Sequence, residues 1–335
     1  MKKTAIKDTD YLYITSLVRA KEPALLTDAA RDRMIEARTD DEAARVLEEC
    51  GFPDMSELDP LRMESRLSAY LDDILADFVR YVPRRELVEV FRLKYDYHNA
   101  KVLIKAQAAN VGGDPLLSGS GRFDPEALAE QFYQGGSSGL PKVYADALWA
   151  ARDELSRTKD AQRADFILDR AYFAEMLDLA EQAESSFLTG YCAALIDSAN
   201  LRAAVRVMMM ALDPALLTDV LVSGRAVQLN AIAAAVRSGE GLAELYGGSL
   251  FAKAAAAGAE AARSGGSLTL FEKLCDNAVT DYLQSAKRVS FGDGPVIAFL
   301  AAVEAEITSV RIIMNGRAAG LEPERIRERL RDSYV

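Results

Sequence analysis

The chain has 335 residues, half of them hydrophobic and 27% charged, with a net charge of −11. That is more than one hydrophobic core usually supports, so two or three domains are expected. The acidic balance argues against a nucleic-acid binder, which needs a basic footprint, and against general attraction to anionic lipid.

The N-terminal "MKKTAIKDTDYLY" carries basic residues without a following apolar run, and so does not read as a signal peptide. No stretch reaches about 18 uninterrupted apolar residues, so no membrane span is expected. Cys50, Cys192 and Cys275 are far apart in sequence and read as reduced, mostly buried thiols. From "LLTDAARDRMIEARTDDEAARVLEEC" onward, apolar residues recur at three- and four-residue spacing almost everywhere. Alternating runs rich in Val, Ile and Thr are missing, which leaves an all-α reading. Gly- and Ser-rich loops are expected at 111–125, 134–141, 246–250 and 263–268. "PVIAFLAAV" at 295–303 reads as a core helix segment, and Met208–Met210 as core filler.

The chain repeats itself. "EPALLTD" (22–28) returns as "DPALLTD" (213–219), with "DPLL" at 114–117 and "EPERI" at 322–326. Proline suits a first helical position, and the acid before it can cap that helix. Pro23, Pro115, Pro214 and Pro323 are therefore expected in a first helical turn or the connector before it. A similar helix precedes each step: "DYLYITSLVRA" (10–20), "DYHNAKVLIKA" (96–106), "DSANLRAAVRV" (197–207) and "EITSVRIIMNG" (306–316). The last three share acid-x-x-Asn/Ser-x-Lys/Arg; the first has Tyr13 and Thr15 instead. Three helical units of about a hundred residues follow: 1–112, 113–212 and 213–335.

At ~100° per residue, the basic residue of each copy and the residue one turn later form a narrow polar stripe. The stripe consists of Lys101 and Lys105, Arg202 and Arg206, Arg311 and Asn315, and Thr15 and Arg19 in the first copy. The rest of each helix is mostly apolar, so the stripe should face water or a partner. Two readings stand: an ordinary solvent edge paired with nearby carboxylates, or a shared cavity or mouth that receives a partner.

Signs of catalysis are lacking. His98 is the one histidine and has no nucleophile pattern beside it, so it reads as a helical histidine with a hydrogen-bonded tip. The acid pairs at 40–41 and 72–73 lack the spacing of a calcium loop. "GSGRFDP" at 119–125 lacks the GK[ST] of a phosphate loop and reads as a connector. No catalytic, cofactor or metal residues are assigned.

"YDYHNAKVLIKA", "DSANLRAAVRV" and "EAEITSVRIIMNGRAAGLEPERIRERL" resemble the corresponding helices of the C subunits of V-type and A-type ATP synthases, the relatives of the vacuolar ATPase d subunit. The resemblance covers essentially the whole chain. It implies a funnel of three similar helical domains about a pseudo-threefold axis. Such a protein does no chemistry and turns with the rotor between the central shaft (the D and F subunits) and the membrane proteolipid ring, on the cytoplasmic face. Within that frame Lys101, Lys105, Arg202, Arg206 and Arg311 are candidate partner contacts. A free-standing helical adaptor would have the same composition.

Overall fold

The computed structural model describes residues 6–56, 60–113 and 116–335. The described residues contain α-helices, short 3₁₀ turns and no strand, as an all-α pattern requires. In chain order the α-helices are α1 (Leu12–Lys21), α2 (Asp28–Glu36), α3 (Asp40–Glu49), α4 (Pro60–Tyr81), α5 (Glu86–Ala109), α6 (Pro125–Gln134), α7 (Lys142–Thr158) and α8 (Ala161–Gln182). They continue with α9 (Ser186–Met209), α10 (Leu217–Val220), α11 (Leu229–Ser238), α12 (Leu242–Leu245), α13 (Ala252–Ser264), α14 (Thr269–Gln284), α15 (Asp293–Ala318) and α16 (Pro323–Arg329).

Local chemistry sets many of these boundaries. Side chains of Thr27, Thr39, Asp124, Asp160 and Ser185 accept from free backbone N–H groups at the starts of α2, α3, α6, α8 and α9. Pro323 opens α16, Pro214 opens a 3₁₀ turn before α10, and Pro23 lies in the 3₁₀ turn Glu22–Ala24. Pro115 lies outside the described residues. The expected acidic cap exists at Asp213, which accepts from Ala215 N at 2.9 Å. It is absent at Glu22, whose carboxylate turns back to Arg19, so the cap of "EPALLTD" is Thr27.

The repeated helices at 96–106, 197–207 and 306–316 sit in α5, α9 and α15, each 24 to 26 residues long. Being apolar on nearly all sides, they are packed among neighbours rather than laid on a surface. Each is joined by a short connection to the helix before it: α4 to α5, α8 to α9, and α14 to α15. These six helices touch in a closed order, α4–α5–α8–α9–α14–α15 and back to α4, and α15 also touches α5 and α9. Aromatic side chains fill the contacts. Phe78 of α4 stacks on Phe299 of α15 at 5.4 Å, and Phe91 of α5 on Tyr191 of α9 at 5.8 Å. Each such buried ring stabilises the packing by about 1.5–3 kcal/mol.

The remaining helices are inserted between members of this cycle. Helices α6 and α7 lie between α5 and α8, and α10–α13 lie between α9 and α14. Between α15 and α4 the insertion comes from both ends of the chain: α16 follows α15, while α1, α2 and α3 precede α4. Helix α15 packs on α1, α2 and α16 as well as α4. The 10–20 copy thus forms the short α1, which packs against α15 and does not join the cycle itself. The run 295–303 is fully buried, as expected. Met210, expected in the core, is 65% exposed because it lies at the C-terminal cap of α9.

Candidate functional site

The acid-x-x-Asn/Ser pattern places two polar side chains one turn apart on a mostly buried helix, where they must find partners. On α5, the amide of Asn99 clasps the backbone of Ser118: Nδ2 donates to its carbonyl at 2.9 Å and Oδ1 accepts from its N–H at 2.8 Å. Asp96, fully buried, accepts from Arg122 N at 2.8 Å and from Arg122 Nε at 2.6 Å. The same guanidinium donates to Glu175 of α8 at 2.8 Å, and Tyr97 donates to the other Glu175 oxygen at 2.9 Å. Burial pushes the Asp96 carboxyl above the usual carboxylate range, against the opposing pull of Arg122. The segment after α5 is therefore a connector fastened to the helix it leaves.

The same clasp recurs on α9. Asn200 donates to Val222 O at 2.7 Å and accepts from Val222 N at 3.0 Å. Asp197 accepts from Arg225 N at 3.1 Å and Ala226 N at 2.9 Å. In both copies the arginine follows Ser-Gly, as Ser120-Gly121-Arg122 and Ser223-Gly224-Arg225. The glycine is a steric requirement. A Cβ at Gly121 would stand 2.4 Å from Asp96 Oδ1, and one at Gly224 would stand 2.1 Å from Asp197 Oδ1. On α15 the acid is Glu306, which accepts from Leu26 N, inside the "EPALLTD" segment. Ser309 instead bonds the Ala305 carbonyl of its own helix. Only the first heptapeptide meets a buried acid itself: "DPALLTD" (213–219) ends before the 222–226 stretch that Asn200 and Asp197 hold.

The third copy is incompletely satisfied. Glu306 is 4% exposed, and its Oε2 has no hydrogen-bond partner among the described residues. Burial pushes its carboxyl up to about 8, with Leu26 N–H and Arg31 pulling the other way. Arg31 occupies the place of the loop arginine, is buried, and donates to the Arg331 carbonyl at 3.0 Å.

The basic stripe runs along the same helices and meets the returning partner helix. Lys101 pairs with Asp169 at 2.5 Å and Lys105 with Asp165 at 2.8 Å, both on α8. Arg202 reaches Glu272 at 2.5 Å and Asp276 at 2.6 Å on α14, and Arg206 reaches Glu272 at 2.9 Å. Arg311 donates through Nε to Glu64 of α4 at 2.7 Å. The five residues thus occupy matching positions in the cycle, each paired with a carboxylate on the helix that returns to it, and keep partial exposure that is largest at Arg206, at 58%. Thr15 instead donates to the Gly292 carbonyl, and Arg19 pairs with Glu22.

The pairs also fix a register. Placing Asp165 opposite Glu272 and Asp169 opposite Asp276 places Glu175 opposite Tyr282. On α4, the register that places Glu64 with Asp169 puts Tyr70 at that same position. Taking a long helix, its connector and the helix that returns to it as one unit of the cycle (α5–α8, α9–α14 and α15–α4, each of which straddles the sequence spans given above), each unit brings together a helix acid, an arginine from the crossing segment and a returning-helix residue: Asp96, Arg122 and Glu175; Asp197, Arg225 and Tyr282; Glu306, Arg31 and Tyr70. Only the first member of each set stood out in sequence; the "SGR" recurrence was the available signal for Arg122 and Arg225.

His98 donates from Nε2 to the Leu116 carbonyl, 3.0 Å away, as expected of a helical histidine with a bonded tip. Among the described residues no group of three or more His, Cys, Asp or Glu is arranged to hold a metal, and no helix is long and apolar enough to cross a membrane.

The sequence profile of the ATP synthase (C/AC39) subunit family matches residues 14–329. The C subunit of the V-type sodium ATPase of Enterococcus hirae is 24% identical over 337 residues, covering 97% of this chain and 99% of its own length. The C subunit of the A-type ATP synthase of Methanocaldococcus jannaschii is 26% identical over 353 residues, covering 98% of this chain and 88% of its own. The C subunit of the V-type ATP synthase of Thermus thermophilus is 24% identical over 220 residues, 61% of this chain and 65% of its own. With a match that runs nearly end to end and takes in all three long helices, the chain belongs to the ATP synthase (C/AC39) subunit family.

Proposed function

We propose that this protein is the non-catalytic central-stalk component of a V/A-type rotary ATPase. In that role it seats the central shaft, made of the D and F subunits, on the membrane proteolipid ring at the cytoplasmic face. The observation that carries the reading is the family match over residues 14–329, with C-subunit relatives aligned along almost the whole chain. A closed cycle of helices braced by buried polar clasps is a suitable body for passing torque, since force on one helix reaches the others through packed contacts.

In this reading the spans 1–112, 113–212 and 213–335 are three related helical domains around a pseudo-threefold axis, forming a funnel. Lys101, Lys105, Arg202, Arg206 and Arg311 are its shaft-facing contacts. Their own carboxylate partners do not preclude this. Pairs that keep contact with solvent are each worth about 1 kcal/mol or less, so exchange for a partner's carboxylate has a small cost. The protein itself contributes position and stiffness, and the ATP chemistry and ion movement take place elsewhere in the complex.

The test is purification of a tagged chain from detergent-solubilised native membranes. Recovery with the D and F shaft subunits and the proteolipid supports the stalk role. Recovery with an unrelated complex would make the protein a helical adaptor.

A further inference from the structure

The loop arginines of the first two units have opposite fates. Arg122 is buried against two carboxylates, Asp96 and Glu175. Arg225 leaves the equivalent turn with its backbone N–H on Asp197, but its side chain is exposed, and no hydrogen bond or ion pair holds its guanidinium among the described residues. The residue that would receive it is Tyr282, whose hydroxyl is committed to the Phe187 carbonyl at 2.9 Å. Beside it opens a cleft of about 800 Å³, lined by Gly190, Ala193, Asp197, Arg225, Leu250 and Tyr282 among others. Leu250 on its rim is 52% exposed. Its walls are mostly small or apolar, with one uncommitted cation. Its remaining charge, Asp197, already accepts from two backbone N–H groups.

We infer that this cleft is a docking site for a segment of a partner polypeptide that presents a carboxylate side chain next to an aliphatic one. The partner's carboxylate takes, against Arg225, the part that Glu175 plays against Arg122, and the aliphatic neighbour covers Leu250 and the small-residue wall. The carboxylate follows from charge: one guanidinium in the first unit binds two acids, while its counterpart in the second has none on its side chain. The aliphatic neighbour follows from the wall, which offers apolar area and few donors.

The test is a titration of the isolated full chain with acetyl-Leu-Glu-Leu-amide and its Gln counterpart, followed by amide chemical shifts at Ala193, Gly248 and Leu250. The Glu peptide should bind about tenfold tighter or more, as expected for a charge-assisted bond. Arg225→Ala should erase that preference, and because Arg225 is exposed the fold should be unaffected. Tyr282→Glu, which supplies the carboxylate within the chain, should weaken the Glu peptide; should that variant not fold, Arg225→Ala decides alone. Equal affinity for the two peptides, or a preference that survives Arg225→Ala, would overturn the proposal. Tighter binding of free hexanoate than of the Glu peptide would also overturn it, by making the site one for a small carboxylate. The titration reads the cleft alone, so its failure would leave the stalk role standing.

Discussion

The first and second units place the same Ser-Gly-Arg turn against the same helix acid, yet one arginine is interior and the other is in solvent. One position on the returning helix separates them: Glu175 on α8 offers a second carboxylate, and Tyr282 on α14 offers none. A buried guanidinium needs nearly all of its charge compensated by close acids, so with Asp alone the side chain stays in water. What the repeat preserves in both units is the backbone clasp, in which Asp and Asn hold the connector by its own N–H and C=O groups. That clasp is the structural element, and the arginine is free to diverge.

Substitution of the two arginines separates the units most sharply. Arg122→Ala leaves Asp96 and Glu175 buried without their cation and should cost about 3–5 kcal/mol in urea unfolding. Arg225→Ala should stay within about 0.5 kcal/mol. Similar losses at both sites would contradict the comparison.

The glycines test what the units share. Gly121→Ala and Gly224→Ala each drive a methyl into a buried carboxylate and should each cost about 1–3 kcal/mol, because the clasp must open to admit it. A neutral result at either one would show that its connector is not held where described.

The third unit adds a pH signature through Glu306. Its folded carboxyl titrates near 8, above the 4.5 of an ordinary glutamate, so folding favours the protonated form. The stabilisation is full below about 4.5 and is lost as pH rises toward 8, at up to about 1.4 kcal/mol per unit. Glu306→Gln removes that dependence, so wild type should fall relative to the variant between pH 5 and 8, as read by thermal unfolding at each pH. Parallel curves would mean that Glu306 is charged in the fold. Arg31, Cys50 and Tyr70 face this carboxyl and stay in place in the variant.

The smallest expected effect is on the stripe. Lys105→Glu and Arg206→Glu each break one partly exposed pair and should cost about 0.2–1 kcal/mol of stability, less at high salt. If these residues also meet the shaft, the double reversal should weaken shaft binding at low salt while leaving unfolding cooperative.

How far the sequence carried the reading depended on what each segment's physics writes into it. The long helices were legible because three- and four-residue apolar spacing persists over 24 or more residues in α5, α9 and α15. The stripe was legible as a face, and its partners were not, because Asp165, Asp169, Glu272 and Glu64 lie on helices that only the tertiary fold brings alongside. The loop arginines sit in Gly/Ser connectors, where no periodicity says which way a side chain turns. The link between Glu306 and Leu26 joins opposite ends of the chain, and the linear repeat pointed instead to α1 as the helix served by "EPALLTD". Between 211 and 265 alanine dominates, and alanine does not distinguish the faces of a helix, so the short α10 and α12 could not be phased.

The proposed coupling role is tested most directly by ATP-driven ion pumping in membrane vesicles from cells lacking this chain, with and without the purified protein added back. ATP hydrolysis by the soluble head should persist, pumping should fall to background, and the added chain should restore it. Pumping that is unchanged without the chain would contradict that role.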